Sequence, residues 1–177
     1  MQRKKTNIRR KKEKVTALFI AFCVVALSLM NVSDWGSVGI YPHVGLLQRC
    51  IYPFFHANVF HALLNGWCLI NIVFVYNVSI GRLLLSYLVA ATYPIDAIAS
   101  VVSLSATPTV GLSGIIFVLL GSVSLSVARK IYFQVWTWLF LIVGFFLSSS
   151  NALLHVYCYV IGLIYAVVNY PMICKKR

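Results

Sequence analysis

Between Val15 and Val32 the chain carries no charged side chain, and this is the first of six long apolar stretches, of which only the third holds a charge, Asp96. About 18 to 20 apolar residues suffice to cross the hydrocarbon core of a bilayer. Five further spans can be drawn, over about 57–76, 83–104, 112–128, 131–147 and 152–170. Charged residues make up only 10% of the sequence and hydrophobic ones 61%, whereas a soluble domain carries about 25% charge. The mean hydropathy of +0.90 agrees. The expected fold class is therefore all-α: an integral, multi-pass membrane protein with six transmembrane helices and the lipid bilayer as its surroundings.

The charges that remain are distributed by side. Residues 1–14 form a basic head with Arg3, Lys4, Lys5, Arg9, Arg10, Lys11, Lys12 and Lys14 against the single acid Glu13. So little apolar surface predicts disorder, or a position on anionic headgroups. If the head is cytoplasmic, six spans put fourteen of the fifteen basic residues inside, with Arg49 alone outside. Such asymmetry predicts both termini in the cytoplasm. The membrane domain then covers 15–174 and a short cytoplasmic tail 175–177. The net charge of +12 reads as a topology signal, and nucleic acid is not an expected partner. The first apolar run is long for a cleaved signal peptide and shows no small-x-small cleavage site. A short head with no resemblance to a full transit peptide favours a bacterial cytoplasmic membrane.

Residues 33–55 break the apolar pattern with Asp34, Pro42, Arg49 and Pro53 among aromatics. This composition predicts an outer loop or a short amphipathic helix at the interface. The connections after the second span are short, so sequential helices should be antiparallel neighbours. The five cysteines are odd in number and lack a Cys-x-x-Cys pair, so neither a disulfide framework nor a metal site is expected from them.

Polar groups inside apolar spans need partners or a function. Ser113 lies between Gly111 and Gly114 at the start of span four; His155 lies in span six, and His61 and Asn65 in span two. The orientation above brings all of them to the outer half of the membrane. Span four, about 17 residues long, covers only about 25 Å, so Ser113 should be recessed and reached through a dipping segment at 105–110, in a cavity open to water. A serine hydroxyl needs a base to become a nucleophile, and imidazole is the usual one near neutral pH. The oxyanion formed on attack needs donors, which a helix N-terminus offers at the backbone N–H of Ser113. His61 and Asn65, four apart, share a helix face and bring side-chain donors. His56, about 140° from His61 around a helix, is expected on the interface side.

The pattern His56-x-x-x-x-His61-x-x-x-Asn65, then Gly111-Leu112-Ser113-Gly114, then His155 with Gly162 seven residues on, resembles the rhomboid intramembrane serine proteases. The likeness runs from about Arg49 to Gly162. It implies a catalytic dyad of Ser113 as nucleophile and His155 as general base, with an oxyanion site of His61, Asn65 and the Ser113 backbone. It also implies transmembrane protein substrates, single-span proteins cut near the outer leaflet, and no metal or cofactor. Three positions depart from the family pattern. Gln48-Arg49 stands where a Trp-Arg pair is common, Phe117 where Tyr is frequent, and Cys158 where Gly usually lets spans four and six touch. Gly114 and Gly162 still permit close approach.

Competing readings are specific. A rhomboid-like pseudoenzyme that binds membrane clients without cutting them would follow if Cys158 held the dyad apart. A transporter would show an inverted repeat or paired half-helices, and none is visible. A metal site of His56, His61 and His155 lacks a carboxylate or thiolate companion. Asp96, beside Pro94, would cap freed backbone or face water, with orientation of His155 as the lesser alternative. Arg49 is expected to anchor the outer loop. Asn71, Asn77 and Asn169 are expected to serve packing or the interface.

Overall fold

The computed structural model describes residues 2–102, 107–146 and 151–169, of which 2–9 by backbone alone. The expected tail 175–177, Cys174 and the first part of the expected dipping segment therefore lie outside the described residues. The helices, in order, are α1 (Gln2–Ser28), α2 (Leu46–Ile51), α3 (Val59–Tyr76), α4 (Ile80–Ala91), α5 (Ile95–Ala99), α6 (Ser113–Val123), α7 (Lys130–Gly144) and α8 (Ala152–Val168). Two 3₁₀ turns, Trp35–Ser37 and Tyr52–Phe54, flank α2 in the outer loop.

Local chemistry explains the boundaries. Asn58 caps α3, its side chain accepting the His61 N–H at 2.8 Å, and Asn77 ends the helix in the left-handed conformation. Ser79 caps α4 in the same way through Arg82 N–H. Pro94 cannot continue a helix, so the third span, drawn as one run, is two helices, α4 and α5. The head expected to be disordered is instead the first part of α1: Lys, Arg and Gln are good helix formers, and no Gly or Pro separates them from the apolar run.

The fourth span is shorter than drawn. Helix α6 has eleven residues, about 16 Å of rise, against the 17 or so expected. Its end coincides with Ser122 and Ser124, whose hydroxyls donate to the Leu119 and Gly121 carbonyls at 2.8 and 2.7 Å and so compete with helix continuation.

Helix α6 is the centre of the molecule, buried along nearly its whole length, with α3, α4 and α8 around it. The outer members follow: α1 packs on α3, and α7 on α8. Sequential neighbours do pack as α4 with α6 and α7 with α8. The main partner of α6 is α8 rather than α7, however, and α3 packs on α1 and α6 rather than on α4. Glycine decides this. A Cβ at Gly162 would lie 2.2 Å from the Val118 carbonyl oxygen, and one at Gly121 2.3 Å from that of Tyr159, so the backbone of each helix closes on a glycine of the other, where no side chain stands between them.

The peripheral helices turn large apolar side chains outward. Phe22, Trp67, Leu84, Phe140 and Val168 are each more than half exposed, an arrangement suited to lipid and unsuited to water. The stretches 59–76 and 80–99 are long and apolar enough to cross a membrane, while α6, α7 and α8 are shorter apolar helices. The chain is an all-helical membrane protein.

Candidate active site

The site is assembled where α6 begins. Gly111 has φ +129°, a conformation that side chains rarely adopt. The space is also closed, since a Cβ there would lie 3.1 Å from His61 Cε1. The Gly111 N–H donates to the Tyr52 carbonyl at 3.0 Å, and the Leu112 N–H to His56 Nε2 at 3.2 Å. The backbone entering α6 is thus held by the outer loop, and Ser113 follows as the first helical residue.

From α8, His155 Nε2 lies 2.8 Å from Ser113 Oγ. Both residues are half-buried, so the pair is supported by packing yet not sealed. The Phe117 ring, one turn along α6, stacks on the imidazole with centroids 4.5 Å apart and planes at 28°. Phe117 therefore orients His155 without needing the missing hydroxyl. Gly114 faces Ala90, the Tyr52 hydroxyl and Cys158 Sγ, at 3.3, 3.3 and 3.5 Å from where its Cβ would be. The bulk of Cys158 is taken up opposite Gly114, and the closest helix approach occurs at Gly121 and Gly162, about two turns deeper.

His61 and Asn65 flank the same entrance, with His61 Nε2 and Asn65 Nδ2 3.5 and 3.8 Å from the Cβ position of Gly111. His56 is a correction to the sequence reading. It is only 2% exposed, lies edge-on to His61 at 5.0 Å between centroids and takes the Asn65 amide at 3.0 Å. The helical-wheel angle does not apply to it because α3 starts after Asn58. With two N–H donors aimed at it, His56 Nε2 is the acceptor of the ring, a tautomer assigned from the bonding network.

Asp96 and Arg49 belong to the outer loop. The Asp96 carboxylate binds Arg49 Nη2 at 2.5 Å and accepts the His43 N–H, while Arg49 Nη1 donates to the Tyr93 carbonyl at 2.9 Å. Arg49 is the anchor of the loop and Asp96 its counter-ion, which takes the carboxylate away from any triad with His155. Asn71 and Asn169 donate to carbonyls of their own helices. Among the described residues no three His, Cys, Asp or Glu side chains are grouped as a metal site requires.

Three contributors escaped the sequence reading. Tyr52 is fully buried, with its hydroxyl on the Ala90 carbonyl at 3.0 Å and its carbonyl on Gly111. Gly121 was visible as a glycine seven residues after Gly114, a spacing that returns to the same helix face. Asn151 precedes the apolar run of α8 as a cap residue would.

In comparisons with known proteins, neither a curated protein nor a solved structure gave a match. Residues 45–172, from the middle of the outer loop, just before α2, past the end of α8, match the Rhomboid domain. A match over more than half of the chain, on the segments that carry Ser113, His155 and their surroundings, establishes that the chain belongs to the rhomboid family.

Proposed function

We propose that the protein is an intramembrane serine endopeptidase that cleaves single-span membrane proteins near the outer leaflet. The observation that carries this reading is the 2.8 Å approach of His155 Nε2 to Ser113 Oγ. His155 takes the hydroxyl proton as Ser113 attacks the scissile carbonyl, then delivers it to the leaving amine. The acyl-enzyme is hydrolysed by water activated on the same imidazole. The oxyanion is held by the Ser113 N–H at the α6 N-terminus, whose dipole favours negative charge, with His61 and Asn65 as further donors. Asn65 keeps its amide on His56 at rest, and this bond preorganises the side chain beside Gly111.

In this reading α1, α3, α4 with α5, α6, α7 and α8 make six spans with both termini cytoplasmic, and the membrane is the bacterial inner membrane. The basic residues support the orientation, and the short α6 supports a recessed Ser113. A non-proteolytic relative would be favoured if Cys158 separated Ser113 from His155. Its seat opposite Gly114 and the short Ser113–His155 contact weigh against that.

The test is labelling of the detergent-purified protein with a fluorophosphonate. Labelling is expected in the wild type and absent in Ser113→Ala and His155→Ala. A folded wild type that does not label would leave the client-binding reading.

A further inference from the structure

Ser113 and His155 lie on different helices, and their distance depends on what holds the start of α6 against the start of α8. Gly121 and Gly162 bring the helices together deeper in the bundle. At the level of the dyad a second tie exists. Asn151 Oδ1 accepts the Leu154 N–H at 3.0 Å, capping α8, and the Asn151 carbonyl accepts the His155 N–H at 3.2 Å. Because Oδ1 is taken by a backbone donor, the other side of the amide must be the NH₂. It donates to Thr109 Oγ1 at 3.1 Å.

Thr109 is itself fixed, since its N–H and carbonyl both pair with Ile40 at 2.9 Å, beside the close packing of Gly39 on Pro108. Thr109 lies four residues before Ser113, and Asn151 four before His155. One side chain therefore joins the strap that delivers the serine to the cap of the helix that delivers the imidazole. We propose that Asn151 is a positioning residue which, through Thr109, sets the distance between Ser113 Oγ and His155 Nε2. The proposal rests on the proteolytic reading for its effect on rate, but not for its geometry.

Two variants cut the tie from opposite ends. Thr109→Val keeps the shape and the Ile40 pairing but removes the hydroxyl. Asn151→Ser keeps a cap for α8 but is too short to reach Thr109. Thr109→Ser retains the oxygen and serves as the rescue. Histidine labelled with ¹³C at Cε1 gives four resonances to assign, His43, His56, His61 and His155, with His155→Ala identifying the last. Ser113→Ala defines its position without the serine bond.

Thr109→Val and Asn151→Ser are each expected to move the His155 resonance toward the Ser113→Ala position and to slow fluorophosphonate labelling by about tenfold. The unfolding midpoint should stay at the wild-type value, and Thr109→Ser should label within about twofold of wild type. An unmoved His155 resonance in both variants overturns the proposal. So does a loss in Thr109→Ser equal to that in Thr109→Val, or a loss that merely tracks a lower midpoint. If the wild type itself does not label, the proteolytic reading fails, while the resonance still decides whether Asn151 sets the distance.

Discussion

Replacing Gly162 with Ala tests whether the contact between α6 and α8 sets the dyad. The new Cβ would be 2.2 Å from the Val118 carbonyl oxygen and 2.9 Å from its carbon. A carbon and an oxygen in ordinary contact stay more than about 3 Å apart, so α8 must retreat by about 1 Å at this level. Neither obstacle is a side chain that can swing away. Gly162 lies seven residues beyond His155, about 10 Å along the axis at 1.5 Å per residue, and a stiff helix carries the shift to the imidazole. An outward shift of about 1 Å breaks a hydrogen bond that now measures 2.8 Å, and displacements of that size can cost roughly 100-fold in rate. Overpacking should also destabilise the fold by about 1–3 kcal/mol. The assay is the second-order rate of fluorophosphonate labelling with unfolding followed in the same detergent, and Gly81→Ala, where nothing lies within 4 Å, is the control. We expect at least a tenfold fall for Gly162→Ala, about 1.4 kcal/mol in barrier, and none for Gly81→Ala. Wild-type labelling and stability in Gly162→Ala would refute the reasoning, because the helices would then have room that the backbone contact denies them.

His56→Ala should leave the Leu112 N–H and the Asn65 amide without an acceptor, destabilising the protein by about 1–3 kcal/mol and lowering labelling; His56→Gln, which restores an acceptor, should recover part of both. Arg49→Lys cannot bind both the Tyr93 carbonyl and Asp96 with one planar group, so limited proteolysis should cut the 33–55 loop faster than in wild type while α3 to α8 stay intact. Cys158→Gly opens space opposite Gly114 and should lower the unfolding stability by about 1–2 kcal/mol without raising the labelling rate. The Cys158 thiol, fully buried, should also resist a maleimide that modifies Cys50 in the native protein.

Much of the site was legible because its chemistry is carried by rare residue types. A hydroxyl between glycines, one imidazole in a later span, and a His and Asn four apart stand out against apolar neighbours, and their order suggested both pairing and family. His56 was misjudged because the 100° rule holds only inside a helix, and the Asn58 cap places His56 outside it. The partner of Asp96 was hidden by distance along the chain: Arg49 is 47 residues away, and no periodicity links a loop to the broken end of a span. The importance of Gly121 depended on what faces it, which local sequence does not report.

The sequence alone determined the solvent and the inventory. Long runs of apolar side chains admit a membrane and exclude a soluble core, because transfer free energy is additive along a segment and needs no knowledge of neighbours. Only the tertiary structure decided that the shortest span is the central one, that α8 rather than α7 lies against it, and that the backbones at Gly121 and Gly162 close to contact. It also decided that Asn151 reaches Thr109. These depend on the packing of surfaces distant in sequence, where a few tenths of an ångström separate a hydrogen bond from a gap.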